Sequence, residues 1–135
     1  MSGLAHLYSV SEKIYIAGPM RNIPNFNFPA FHRAAVRLRA LGHEVFNPAE
    51  RDEAVYGPGI GKSTTGYIQD AAQKGFSLRE ALEGDTRWIC RSATAIALLP
   101  GWIGSRGARA ERALGLALGL PIYYLDADGS ITEQE

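Results

Sequence analysis

Cysteine is nearly absent. Cys90 stands alone in 135 residues, which excludes a disulfide framework and a thiolate zinc site. The three histidines (His6, His32, His43) have no ligand-like spacing, so no metal site is expected. No apolar run is long enough to span a bilayer, and the first residues carry no basic-then-apolar secretory pattern. The expectation is a soluble cytoplasmic protein with no membrane partner. Charge of one sign is also missing, since 14 Lys and Arg offset 14 Asp and Glu. A nucleic-acid polymer normally requires a basic excess, so a small ligand fits better. Internal repeats and low-complexity tracts are absent as well.

What is present is ordinary globular composition, 46% hydrophobic and 21% charged, of a length that suits one domain over residues 1–135. Residues 1–12 read as a loose leader. Lys-Ile-Tyr-Ile-Ala at 13–17 is β-rich and ends at Gly18-Pro19, which predicts the first strand. Phe31, Ala34, Ala35, Leu38 and Leu41 then fall on one helical face, with Gly42 as a stop signal. Residues 43–46 read as the second strand, and a crossover of this length favours parallel pairing.

Residues 49–66 are rich in Gly and Pro and read as a long loop. The whole segment 49–76 is expected to be a flexible lid or insertion. Ser77-Leu78-Arg79-Glu80 is a capping box that opens a helix to about residue 91. Residues 94–99 and 121–125 give two further strands around a helix at 107–118, and the acidic tail from Asp126 is expected to fray. Strands alternating with helices predict a small three-layer α/β/α fold with a mostly parallel sheet of four to five strands, Rossmann- or flavodoxin-like.

Chemistry concentrates at the strand–turn–helix unit around Gly104-Ser105-Arg106-Gly107. Ligands of open α/β sheets bind beyond the carboxyl ends of the strands. Glu111 is expected in or near the first turn of the following helix, where the dipole would hold it ionised as a nucleophile or base. The same placement also suits a plain dipole cap. Arg106, Arg109 and Arg112 surround the turn and suit a small anion. Asp85 lies within the apolar stripe of Leu78, Ala81, Leu82, Trp88 and Ile89, so it either faces a cavity or pairs with Arg87, Arg91 or another cation. The turn Gly18-Pro19-Met20-Arg21-Asn22 lies at the same sheet edge; Gly18 allows close backbone approach, and Arg21 is either a phosphate partner or a solvated side chain.

Gly57-Pro58-Gly59-Ile60-Gly61-Lys62-Ser63-Thr64 imitates a P-loop. Tyr56 occupies the position of its first glycine, and the preceding Arg51-Asp52-Glu53-Ala54 is polar where a strand is required. Hydrolysis of a nucleoside triphosphate is therefore not expected.

Taken in order, Ile14-Tyr15-Ile16-Ala17-Gly18-Pro19-Met20, then Asp85 ahead of Ala93-Thr94-Ala95-Ile96-Ala97-Leu98, then Gly104-Ser105-x-Gly107-x-x-x-Glu111-x-x-x-x-Leu116-x-Leu118-Gly119 resemble the nucleoside 2-deoxyribosyltransferase-like superfamily. That group includes deoxyribosyltransferases and N-glycosidases of nucleoside 5′-monophosphates. The resemblance implies that Glu111 attacks the anomeric carbon, that Asp85 binds sugar hydroxyls and assists proton transfer to the leaving base, and that Tyr15 orients Glu111. It implies that Ser105 and Gly107 hold the 5′-phosphate on the helix N-terminus, with Arg21, while Gly18, Pro19 and Met20 line the substrate site. No cofactor is implied.

Two departures stand out. Arg112-Ala113-Leu114 follows Glu111 where the family often shows an aromatic or Gly-Tyr pair. The tail 126–135 has no asparagine, whereas the transferases commonly supply one to the partner subunit's site. The expectation is hydrolysis of a (deoxy)nucleoside 5′-monophosphate, with base exchange and non-catalytic nucleotide binding as alternatives. By analogy a homodimer is expected, with Trp102 and Ile103 contributing apolar surface.

Overall fold

The first strand sits at the centre of everything that follows, and its burial shows why. In the computed structural model, which describes residues 10–132, β1 (Lys13–Ala17) is buried from Ile14 onward. Its alternate residues feed two separate cores. Ile14 and Ile16 join Phe28, Phe31, Ala34, Leu38, Val45, Ala95 and Ala97 on one face. Tyr15 and Ala17 join Ile89, Ile96, Leu98 and Ala108 on the other. Such two-sided burial is what a parallel sheet covered by helices on both faces requires.

The sheet contains β2 (Glu44–Phe46), β3 (Ala95–Leu98), β4 (Ile122–Leu125) and β5 (Ile131–Thr132) beside β1. Their order is β2-β1-β3-β4-β5. The first four pair in parallel and β5 is antiparallel to β4. The order reverses direction between β1 and β3, which opens a crevice at their carboxyl ends. Strand ends come together tightly there: a Cβ on Gly18 would lie 2.7 Å from Leu99 Cβ.

Among the described residues, five α-helices complete the layers. These are α1 (Phe28–Ala40), α2 (Pro48–Tyr56), α3 (Ile68–Ala72), α4 (Leu78–Arg91) and α5 (Arg106–Ala117). Helix α1 buries Phe28, Phe31, Ala34, Ala35 and Leu38, the stripe expected of a 3.6-residue period. The capping box holds, since Ser77 accepts from the Glu80 backbone N–H at the start of α4. Helix α5 lies very close to β3. A Cβ on Gly115 would meet Ile96 Cγ1 at 2.6 Å, so only glycine permits this approach. Among the described residues no helix is long and apolar enough to cross a membrane.

Three expectations need correction. The segment expected as a flexible loop contains helices α2 and α3. Asn47 caps α2 by accepting from Ala49 N–H, Pro48 occupies its first turn, and Gly57 ends it at φ 99°. Its apolar periodicity is weak because it buries Pro48, Ala49 and a carboxyl, Asp52. The turn between α2 and α3 is pinned to the β1–α1 connection: Asn25 N–H donates to Ser63 O at 2.7 Å and Asn22 N–H to Gly66 O at 2.9 Å.

The tail expected to fray forms β5 instead. Asp126 Oδ1 accepts from the backbone N–H groups of Asp128 and Ser130, turning the chain back onto β4. Most of the expected leader, residues 1–9, and the last three tail residues, 133–135, lie outside the described residues. Ser11 and Glu12 belong to the sheet edge, where Glu12 N–H donates to His43 Nδ1 and Ser11 Oγ to Gly42 O.

Gly115→Val should therefore cost about 1–3 kcal/mol through overpacking against Ile96. Urea unfolding measures it as a lower midpoint with an unchanged slope.

Candidate active site

Beyond the ends of β1 and β3 lies a cleft of about 530 Å³. Its floor is built by two elements that the fold forces together. Tyr15 comes from the middle of β1, fully buried, its ring stacked on Phe46 with centroids 5.5 Å apart. Glu111 comes from α5 on the same face of the helix as Ala108 and Gly115, the face pressed onto the sheet. The Tyr15 hydroxyl donates to Glu111 Oε2 at 2.6 Å, at the short end of the O–H···O range.

Glu111, expected in or near the first turn of α5, lies just beyond it. It is the sixth residue of that helix, and no acidic side chain occupies the first turn. The dipole therefore does not hold it ionised, because that field falls off within the first turn. Burial dominates. Glu111 is 6% exposed, and desolvation pushes its pKa up to about 8, against the Tyr15 hydrogen bond and with help from the Asp85 charge. Tyr15 itself is raised well above its ordinary value by burial and then by Glu111 and Asp85, so it stays protonated and donates.

Asp85 projects from α4 into the same cleft, 7% exposed. Its Oδ1 has no hydrogen-bond partner. The alternative pairing with Arg87 is not formed; Arg87 Nη2 bonds Glu83 at 3.0 Å. Burial first, and the charge of Asp52 second, raise Asp85 to about 7, opposed by Arg51 and the Tyr15 hydroxyl.

The remaining site residues read from the sequence also line this cleft: Gly18, Pro19, Met20, Arg21, Ser105 and Gly107. Ser105 caps α5, its Oγ accepting from Ala108 N–H at 3.1 Å. Cβ atoms on Gly104 and Gly107 would meet nothing within 4 Å, so the positive end of α5 borders open space. The arginine cluster, in contrast, disperses. Arg106 lines the cleft. Arg112 donates to the Tyr124 hydroxyl at 3.2 Å and lies 4.8 Å from the centre of the Trp102 ring. Arg109 is exposed and does not line the cleft. The P-loop imitation is preceded by α2 rather than a strand, and Lys62 is exposed.

One residue escaped the sequence reading. Asp52 on α2 lines the cleft and is 5% exposed. Its contact is Arg51 Nη1 at 3.3 Å, and burial lifts it to about 6 despite that cation. A signal existed: Asn47-Pro48 opens a helix, and Asp52 stands four residues after Pro48 on the same face.

A family model described as a domain of unknown function (DUF4406) matches residues 12–124, and the chain belongs to that family. No curated protein and no solved structure matches it.

The buried carboxyls carry a stability consequence. With its pKa raised to about 8 in the fold from an ordinary 4.5, Glu111 binds its proton more tightly folded than unfolded. Its contribution is favourable below about pH 4.5 and is lost as pH rises towards 8. Glu111→Gln should thus raise Tm by about 3 °C or more at pH 8 and barely at pH 5, by scanning calorimetry. An equal gain at both pH values would exclude charge burial as the cause.

Proposed function

We propose that this DUF4406 domain is an N-glycosidase that cleaves a (deoxy)nucleoside 5′-monophosphate to free base and sugar 5-phosphate. The carrying observation is the Tyr15–Glu111 hydrogen bond at 2.6 Å, set beside an Asp85 carboxyl whose Oδ1 has no partner. Two carboxyls with different environments, facing one cleft, suit the acid and nucleophile of glycosidic cleavage. A volume of about 530 Å³ lies within the range of small-molecule sites, about 300–1,000 Å³. The sequence resemblance to the nucleoside 2-deoxyribosyltransferase-like superfamily supports the same reading, and no cofactor is required for it.

In this reading the phosphate rests on the N-terminus of α5, at Ser105 and Gly107, with Arg21 at the rim. Gly18, Pro19 and Met20 form the adjoining wall. Glu111, held by Tyr15, attacks the anomeric carbon as the bond to the base nitrogen breaks, giving a glycosyl ester. Asp85 donates its proton to the departing base. Water then attacks the anomeric carbon, Asp85 takes the water's proton, and Glu111 leaves as a carboxylate. Burial strengthens each of these interactions relative to water.

Engagement of the stretch 126–132 in the turn and in β5 supports hydrolysis over transfer to a second base. A homodimer belongs to the same proposal, with Ile103, 67% exposed beside Trp102, as contact surface; light scattering measures it. The setting proposed is cytoplasmic.

Incubation with a panel of 5′-monophosphates should release free base without an acceptor. A new nucleoside formed only with added base would make the protein a transferase, and ligand binding without product would make it a binding module. Glu111→Ala should retain less than about 1% of base release while still binding nucleotide.

Glu111 and Asp85 titrate as a pair that works with one shared proton. Activity falls below about pH 7, where both carboxyls are protonated, and above about pH 8, where both are ionised and no acid remains. Tyr15→Phe removes the bond that lowers the Glu111 pKa. The alkaline limb of the kcat/KM profile should therefore move to higher pH.

A further inference from the structure

Asp52 is a buried carboxyl that the mechanism above does not use. It sits on the face of α2 that turns towards the cleft, four residues after Pro48, which lines the same space. Its neighbour Arg51 is anchored on α4: Arg51 Nη2 donates to Glu80 O at 3.2 Å, and a Cβ on Gly84 would come within 3.3 Å of that nitrogen. Helix α2 is thereby held beside the turn of α4 that carries Asp85.

The charged groups fall in a sequence along the cleft. The N-terminus of α5 comes first, then Glu111 in its second turn, then Asp85, whose charge acts on Glu111, and then Asp52, whose charge acts on Asp85. A nucleotide laid with its phosphate on α5 and its anomeric carbon at Glu111 extends its base past Asp85 towards Asp52. The cleft's lining also includes the apolar side chains of Phe26, Phe28, Ile60, Ile68 and Phe76. Phe26 is held at φ 51°, within a left-handed run from Asn25 to Asn27. Such backbone persists in a bulky residue only when its surroundings impose it.

A carboxylate set in an apolar slot has a definite preference. It accepts hydrogen bonds and donates none, so it rewards N–H groups and repels carbonyl oxygens. We propose that Asp52 is the specificity-determining residue for the base, selecting nucleotides whose hydrogen-bonding edge presents N–H donors. Guanine, with an amino group beside a ring N–H, presents two donors to the carboxylate, whose Oδ1 also accepts from Arg51. Uracil and thymine, with a ring N–H flanked by two carbonyls, match worst. Burial lifts Asp52 only to about 6, so it is ionised at neutral pH. A base that offers no N–H then leaves the desolvated carboxylate with its Arg51 contact but no partner on the ligand side, and polar mismatches of this kind discriminate by orders of magnitude.

The inference rests on the nucleotide reading of the cleft, so the test measures binding and turnover separately. Wild type, Asp52→Asn and Asp52→Ala are compared on deoxyguanosine, deoxycytidine, deoxyuridine and thymidine 5′-monophosphates at pH 7.5. Base release is read by chromatography and binding by calorimetry. The wild type should favour the guanine nucleotide over the uracil and thymine ones by at least about 100-fold in kcat/KM. Asp52→Asn, whose amide both donates and accepts, should collapse that ratio to within about 10-fold. Asp52→Ala removes a buried charge, keeps the fold, and should flatten the preference as well.

If base is released but the ratio is the same in all three proteins, Asp52 is structural and the proposal is overturned. A wild type that prefers uracil or thymine overturns it too. If no base is released yet binding shows the guanine preference and its loss in Asp52→Asn, the glycosidase reading fails and the role of Asp52 stands. Absence of binding to any of the four nucleotides removes both.

Discussion

Glu111 reaches Tyr15 because α5 lies almost against β3, and that approach depends on the small residues Ala108 and Gly115 on either side of it. Ala108, Glu111 and Gly115 share one face of the helix, spaced three and four residues apart. Gly115 admits Ile96 where any side chain would collide. Drawn in this far, the helix carries a carboxyl past the surface and into contact with Tyr15 of β1. The crevice that forms above it is the consequence of a strand order that reverses between β1 and β3.

The cost of that arrangement is electrostatic. Asp52, Asp85 and Glu111 are each more than nine-tenths buried, and burial is the leading cause of the raised pKa in all three. Carboxyls kept from water prefer their protons, and each ionised neighbour strengthens that preference. The cleft thus works against stability near neutral pH and is tolerated because the two cores on either side of the sheet hold it. Such conflict between local cost and global fold is the usual mark of a functional site.

Most of the scaffold was legible. β1 and the Ser77-capped helix were read within a residue of their observed limits, because alternation, glycine stops and a capping box are local signals. All nine predicted site residues line one cleft. Helix α2 was missed because its buried face carries Asp52 rather than an apolar stripe, so periodicity had nothing to detect. β5 was missed because two residues in an acidic tail pair only through the Asp126 turn. Asp52 was passed over with them, hidden inside a stretch that read as polar loop.

The sequence by itself determined which chemistry was available: a tyrosine in the first strand, an aspartate within an apolar stripe, and a glutamate after a glycine-rich turn. Those identities, with the alternation of strands and helices, are local facts written in residue order. Tertiary structure alone decided their protonation and their partners. Glu111 was expected to be ionised by a helix end and is instead buried in the second turn, where its pKa rises to about 8. Desolvation depends on what covers a group, and the elements packed around Glu111 include β1 and α4, far away along the chain.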